Sequence, residues 1–252
     1  MNADEALLTY VLRLADTALV IGQRMTERVA GEPELEEELA TANFALDYLG
    51  QARMLYAYAG ELEGEGRDED DLAYLRDSQE FRNLLMAEQP NGHFGVSVVR
   101  QFLFESFYVL QLEALSECRD ERLKGIAARA LKEIRYHLRH ASNWLVRLGD
   151  GTEESHAKVA SALADNWRFT GEFFDGDEVD DIVAREFAGP DLDALRTTWL
   201  GNVRAVLDEA TLEEPGETFM ARGGREGLHT EHFGYLIAEM QHVKRSHPGA
   251  TW

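Results

Sequence analysis

The stretch VSVVRQFLFESFYVLQLEALSEC, residues 96–118, decides the fold class. Its valine-rich start is typical of a strand, but its length and its lack of strict alternation between apolar and polar residues favour a buried helix. On both sides of this stretch the apolar residues recur with helical periodicity along nearly the whole chain. We therefore predict an all-α protein.

Helix boundaries follow from breaker and capping residues. Pro33 is predicted to open the second helix in its first turn, with acidic residues after it that complement the helix dipole. Asp120 is predicted to cap the fourth long helix. The predicted helices cover approximately residues 4–29, 33–60, 72–88, 96–118, 121–148, 153–174, 191–212 and 226–245, with acidic or glycine-rich loops at 61–71, 175–181 and 215–224.

Four of these helices, at about 25 residues, are far longer than the average globular helix of about 11–12 residues. Four long helices with one long connection between the second and the third are typical of a ferritin-like bundle. We expect a single domain over residues 1–252, with the core bundle at about 4–148 and accessory helices at about 153–245. The predicted inward stripes of the first two helices are Leu8, Leu12, Ala15, Leu19 and Gly22, and Leu35, Leu39, Ala42, Leu46 and Leu49.

Composition excludes several classes of function. The chain carries 47 acidic and 25 basic residues, a formal net charge of −22, which argues against nucleic-acid binding and against docking on an anionic membrane. The lone cysteine, Cys118, permits no disulfide within the chain and fits a reducing compartment. The N-terminal residues lack a signal peptide and no apolar run is long enough to span a bilayer. We expect a cytoplasmic protein.

Each of the four long helices places a carboxylate on its predicted inward stripe. An ionised carboxylate in an apolar interior is costly unless it is paired or binds a metal. Di-metal bundles use one Glu on each of two helices and Glu-x-x-His on the other two. The corresponding spacings here are Asp47-x-x-Gly50 and Glu133-x-x-Tyr136, so both histidines are missing, although His137 follows one position later. The positions of this predicted vestigial metal site are Asp16, Asp47, Gly50, Glu105, Glu133 and Tyr136.

We predict that this chain binds no metal at those positions and supplies no catalytic residue. The carboxylates are instead expected to be satisfied by hydrogen bonds to one another, to Tyr136 or to nearby Arg and His. True Glu-x-x-His spacings occur elsewhere, at Glu153/His156, Glu226/His229 and Glu239/His242. His229 and His232 share one helical face, which zinc would accept, but a helix-cap or interface pair explains them more simply because no further ligand is placed by spacing.

A basic stripe stands out on the fourth long helix of this acidic chain. Its members are Arg129, Lys132, Arg135 and Arg139. A protein partner or a phosphate-bearing ligand could use such a stripe. The simpler explanation is a solvated face whose cations pair with neighbouring Glu and Asp.

Four long segments resemble one family in sequence and in order. They are LDYLGQARMLYAYAGELEGEG (46–66), FRNLLMAEQPNGHF (81–94), LKEIRYHLRHASNWLVRLGDGT (131–152) and GLHTEHFGYLIAEMQ (227–241). They look like the C subunit of bacterial phenylacetyl-CoA ring-1,2-epoxidase, the PaaC family. The resemblance implies a ferritin-like fold and a structural, metal-free role in phenylacetate catabolism. It also implies that the partner is a homologous catalytic A subunit, which holds the di-iron centre and binds the acyl-CoA.

Three hypotheses follow. The first is a non-catalytic subunit of a multicomponent monooxygenase, assembled with the A subunit and other epoxidase subunits, or forming a homodimer when alone. The second is a di-iron or di-manganese oxygenase that uses the four carboxylates and His137. The third is a ferritin-like module that binds another metal or a small ligand. The two missing histidines favour the first hypothesis.

Overall fold

The computed structural model describes residues 1–250 of the chain. All of its regular structure is helical in this part, which confirms the all-α prediction and is consistent with a ferritin-like helical bundle. The α-helices are α1 (Ala3–Arg28), α2 (Leu35–Glu63), α3 (Glu69–Tyr74), α4 (Leu85–Glu88), α5 (Phe94–Leu115), α6 (Glu121–Gly149), α7 (Glu153–Trp167), α8 (Glu178–Phe187), α9 (Leu192–Glu209) and α10 (Glu231–Ser246).

Side-chain caps explain where several helices begin. The Asp120 carboxylate accepts the Leu123 N–H at 2.7 Å, so the predicted cap of α6 is confirmed. At the start of α1, Asn2 and Glu5 form a reciprocal capping box in which each side chain accepts the other residue's N–H. Such caps satisfy N–H groups that have no partner within the helix. Helix position is therefore fixed largely by local sequence.

Contacts between residues divide the chain into two compact units. Among the described residues, the first unit contains residues 1–90 and 222–250, and the second unit contains residues 91–221. The predicted single domain, with a core bundle and accessory helices, stays a prediction. No helix in residues 1–250 combines the length and the hydropathy that a membrane span requires.

An antiparallel pair of long helices, α1 and α2, forms the body of the first unit. Gly22 of α1 lies beside Leu49 of α2, and Asp16 of α1 lies beside Tyr56 of α2. The residue numbers fall along α1 as they rise along α2, so the two helices are antiparallel. The closing element is α10, which packs against α3 and α4. Its Gln241 amide donates to the carbonyl oxygens of two residues in the 73–76 turn.

Helix α5 is the centre of the second unit and contacts α6, α7 and α9. The Trp199 indole N–H of α9 donates to the Leu103 carbonyl at 3.2 Å. A cluster of aromatic rings fills the space beside it, and its members are Phe104, Phe107, Phe173, Phe174 and Trp199. The valine-rich start of the 96–118 stretch is thus buried helix, as the sequence predicts.

Several predicted boundaries are wrong. Pro33 lies before the N-cap of α2, Glu34, rather than in its first turn. The helix predicted over 72–88 is broken, because Asp77 and Glu80 form a capping box that begins a separate 3-10 turn. The acidic loop predicted at 175–181 contains the start of α8, because its acidic residues occupy the first turn behind the Asp177 cap, where they favour a helix. The predicted 153–174 helix also ends early, at Trp167.

The predicted inward stripe of α2 is wrong at three of its five positions. Leu35, Leu39 and Leu46 are 66%, 59% and 65% exposed. The opposite face, which carries Phe44 and Tyr48, is the buried one. Both faces of α2 are apolar at helical spacing, so periodicity alone could not choose between them. The aromatic face packs against α1 because it buries more apolar surface. On α1 the predicted stripe is correct from Ala15 to Gly22 and only half-buried at Leu8 and Leu12.

Candidate functional site

A completely buried carboxylate, Asp16 of α1, is the polar centre of the first unit. Its Oδ1 accepts the Tyr56 hydroxyl at 2.5 Å, and its Oδ2 accepts the Arg82 main-chain N–H at 2.7 Å. The Arg76 guanidinium donates to both oxygens. It also lies over the Phe81 ring, with its central carbon 4.3 Å from the ring centroid. The expectation that Asp16 is satisfied by arginine is confirmed.

The environment fixes the protonation states of this cluster. Burial lowers the pKa of Arg76, but the neighbouring Asp16, Tyr56 and Glu80 together raise it more, so its net shift is upward. Burial, followed by the Asp16 charge, raises the pKa of Tyr56 well above its ordinary value of 10.0. Tyr56 is therefore a protonated donor and Arg76 a cation. Four donors reach the two Asp16 oxygens, which leaves no lone pair directed at a metal ion.

The second unit holds one buried carboxylate–imidazole pair. Glu105 of α5 and His137 of α6 are both buried, with Glu105 Oε1 3.8 Å from His137 Nδ1. That separation exceeds a hydrogen bond. The inward orientation predicted for Tyr136 is wrong, because its side chain is 52% exposed and lies beside Arg139. Glu133 is partly exposed and lies 3.7 Å from the Arg129 side chain. The residue of this segment that faces inward is the buried His137.

On α2 the predicted ligand positions lie away from the buried face. Asp47 is partly exposed, and Gly50 is exposed, with no atom within 4 Å of the position a Cβ would take. The polar residue that does face inward is Gln51, which is completely buried. Its spacing of three from Tyr48 and four from Leu55 places it on the aromatic face, and this signal could have identified it from the sequence.

His229 and His232 occupy different environments. The Nδ1 of His229 lies 2.5 Å from Glu88 Oε1 and its Nε2 lies 3.2 Å from the Phe81 carbonyl oxygen. Both ring nitrogens therefore already have a protein oxygen atom as a partner. His232 is partly exposed. Within residues 1–250, no three His, Cys, Asp or Glu side chains form a group that could hold a metal ion.

Glu88 is the second completely buried carboxylate of the first unit. Besides His229, it accepts the Thr230 N–H at 2.8 Å and the Thr230 hydroxyl at 2.6 Å through Oε2. The Asn83 side-chain amide donates to Oε1 at 3.0 Å. This cluster ties α4 to the residues that precede α10. Sequence reasoning identified His229 but missed Glu88, since nothing local links residues so distant along the chain.

The remaining Glu-x-x-His spacings have structural explanations. His156 lies near the start of α7, with its Nδ1 2.8 Å from the Gly149 carbonyl oxygen. This contact joins the end of α6 to the first turns of α7. Glu239 and His242 are both exposed on α10. The His156 ring is therefore used to join two helices, and the Glu239/His242 pair lies on the protein surface.

Comparison with known proteins agrees with the resemblance found in the sequence. The model of the PaaA_PaaC family, described as phenylacetic acid catabolic protein, matches residues 1–252. The chain belongs to this family. The C subunit of the 1,2-phenylacetyl-CoA epoxidase of Escherichia coli (strain K12) is 48% identical over 246 residues, which cover 98% of this chain and 99% of the relative.

This member of the PaaA_PaaC family presents its basic stripe on the surface of α6. Arg129, Lys132, Arg135 and Arg139 are all exposed. Arg135 donates to Glu113 of α5 at 2.7 Å, and Arg139 lies over the Tyr136 ring. The stripe is therefore partly neutralised within the second unit but remains accessible. Cys118 is buried, and burial raises the pKa of its thiol, which fits a packing role.

Proposed function

We propose that this chain is the C subunit of a 1,2-phenylacetyl-CoA epoxidase and acts in phenylacetate catabolism as a structural, non-catalytic subunit. The observation that carries the proposal is 48% identity over 98% of the chain to a protein of that name. Its partners are a homologous catalytic A subunit, which would hold the di-iron centre and bind the acyl-CoA, and the other epoxidase subunits. We place the complex in the cytoplasm, and we propose that the chain forms a homodimer when its partners are absent.

The donor set supports the non-catalytic part of this proposal. Both Asp16 oxygens are already occupied by hydrogen-bond donors. Gly50 has no ligand atom, and Tyr136 lies on the outer face of α6. These residues do not fit a dinuclear centre, which needs carboxylates and imidazoles that converge on two metal ions. No step of the reaction is therefore assigned to a metal in this chain.

A second candidate, a metal-dependent oxygenase in its own right, is favoured by one observation. Glu105 and His137 form a buried carboxylate–imidazole pair. Elemental analysis of the purified chain, expressed with added iron, separates the two candidates. We expect substoichiometric iron that is unchanged in Glu105→Gln. Stoichiometric iron that is lost in Glu105→Gln would support the second candidate instead.

The main test is reconstitution with the A subunit and the other epoxidase subunits. We expect this chain to co-purify with the A subunit and to raise its turnover, because a scaffold positions reacting groups and an error of about 1 Å can slow a reaction about 100-fold. Glu133→Gln should leave turnover within a few-fold. If that variant abolished turnover in an assembled complex, the chain would be catalytic.

The basic stripe provides a further test of partner contact. We propose that Arg135 and Arg139 contact the A subunit or the phosphates of coenzyme A. Charge reversal of both residues to Glu should weaken assembly or raise the KM for phenylacetyl-CoA. Arg196→Glu, on the exposed side of α9, is the matched control and should change neither quantity. If the two variants behave alike, the stripe is a solvated face that contacts neither the A subunit nor coenzyme A.

A further inference from the structure

An apolar seam runs along the outer face of α2. It consists of Leu35, Leu39, Ala42 and Leu46, and its three leucines are each more than half exposed. Exposed apolar residues are usually scattered over a protein surface, whereas a contiguous stripe marks an interaction site. The seam is separate from the packing face of α2, because the helix uses its opposite, aromatic face to pack against α1.

The spacing of the seam specifies the shape of its occupant. Its positions alternate by four and three residues, which is the heptad repeat by which two helices pack side by side. At a rise of 1.5 Å per residue the seam is about 17 Å long, or roughly one and a half heptads. The occupant is therefore a helix of similar length with an apolar stripe of the same period.

Charge next to the seam specifies the chemistry of the occupant. Glu36 and Glu38 lie on its two sides, and Asp47 lies further along the same helix. If a second copy packed antiparallel about Ala42, Asp47 would meet the acidic first turn of the other α2. A parallel copy would set each acid beside its counterpart. Both arrangements would bring negative charges face to face, and the acids would also be repelled by an anionic membrane.

We infer that the seam is the docking surface for an amphipathic helix of the catalytic A subunit, with lysine or arginine on the flanks of its apolar stripe. This inference rests on the proposed function, because it takes the occupant from the proposed complex. It also explains why Leu35, Leu39 and Leu46 face solvent in the isolated chain. The leucines supply the central apolar contact, and the acids select the partner by charge.

The test measures binding of the purified A subunit to the full chain by calorimetry and sedimentation. The variant is Leu39→Gln with Leu46→Gln, both at exposed helical positions that Gln fills without disturbing the core. We expect affinity to fall by about 100-fold or more, as for loss of two central contacts. The matched control, Leu228→Gln, changes a leucine that is 65% exposed but lies outside the seam, and it should bind normally.

A second variant tests the charge argument. Glu36→Lys with Glu38→Lys should slow association and reduce its dependence on salt concentration. Circular dichroism and thermal melting establish that every variant retains the helical fold. Vesicles of phosphatidylglycerol serve as the membrane probe, and binding to them that the leucine variant loses would overturn the inference.

The outcomes separate failure of the seam from failure of the proposed function. If the wild-type chain binds the A subunit and the leucine variant binds it equally well, the seam assignment is wrong and the proposed function stands. If the wild-type chain does not bind the A subunit, the proposed function fails and takes this assignment with it. If the leucine variant loses only self-association, the occupant is a second copy and the inference is overturned.

Discussion

Two buried carboxylates of the first unit are neutralised in different ways. Asp16 is held by an arginine, a tyrosine hydroxyl and a main-chain N–H, all from the first ninety residues. Glu88 is held mainly by His229 and Thr230, which lie far along the chain. The first cluster secures α1 to α2 and to the turn after α3. The second secures the residues that lead into α10.

The comparison teaches that equal burial does not imply equal consequence. The Asp16 cluster lies inside the α1–α2 pair, so its loss exposes the core of the first unit. The Glu88 cluster lies at the attachment of one segment, so its loss should release that segment while the helix pair persists. Stability within a protein is distributed in such cooperative parts rather than uniformly. The predictions below test this division, from the largest expected effect to the smallest.

Replacing Asp16 by Ala should have the largest effect. It leaves the Arg76 guanidinium buried without its carboxylate, and breaking a buried ion pair in this way costs about 3–5 kcal/mol. Urea denaturation should show one cooperative transition at lower urea concentration. A loss below about 1 kcal/mol, which is typical of exposed ion pairs, would show that the cluster does not stabilise the core.

Glu88→Ala should have a smaller and local effect. It removes acceptors from His229 and Thr230, and hydrogen bonds to a charged group contribute about 1.5–3 kcal/mol. Hydrogen exchange should increase in residues 222–250 and remain slow in α1 and α2. If the amides of α1 and α2 exchange as fast as those of the released segment, both clusters belong to one cooperative part and the proposed division is wrong.

Tyr56→Phe should lower the unfolding free energy by about 1.5–2 kcal/mol near neutral pH, because one hydrogen bond to the Asp16 carboxylate is lost. The raised pKa of Tyr56 also predicts a pH dependence. The unfolded chain ionises this group near pH 10 while the folded chain does not, so its contribution is complete below pH 10 and is lost as the pH rises further. Denaturation from pH 8 upwards should therefore show a shallower alkaline loss in Tyr56→Phe than in the wild type.

Glu63→Gln should have the smallest effect on the free energy of unfolding. It shows how much a carboxylate near the surface contributes, for comparison with the buried ones. Glu63 accepts the Arg67 Nε–H at 2.7 Å, and this hydrogen bond lowers the pKa of Glu63. Its contribution is present above the unfolded pKa and is lost as the pH falls, with an expected size of about 0.5 kcal/mol or less. A thermal shift as large as that of Asp16→Ala would remove the distinction between buried and surface carboxylates.

Local signals in the sequence were sufficient for the long helices and insufficient for their faces. Asp120 was predicted as a cap because a capping residue acts on the three residues after it. The outer face of α2 was predicted to be buried, because Leu35, Leu39 and Leu46 have the same spacing as a core stripe. Which of two apolar faces is buried depends on the neighbouring helix, and periodicity contains no information about that neighbour.

The candidate site was predictable only in part. Asp16 and Glu105 are buried as expected, because an acid within an apolar stripe is a strong signal. Arg76, which neutralises Asp16, lies 60 residues away in a turn with no periodicity. The interruption of the predicted 72–88 helix is what brings it there. Pairings made by irregular segments between distant residues leave no pattern for sequence reasoning to detect.

The first unit is assembled from two segments that the whole of residues 91–221 separates along the chain. During synthesis, the second unit can complete its contacts as soon as its own continuous segment has been made, whereas the first unit must wait for Thr230 before Glu88 gains its main-chain donor. Such contacts of high sequence separation slow folding, while the entropy of closing the loop grows only with the logarithm of its length. The surface of α3 and α4 that α10 covers therefore stays open for most of translation and is exposed to aggregation and to chaperones throughout that interval.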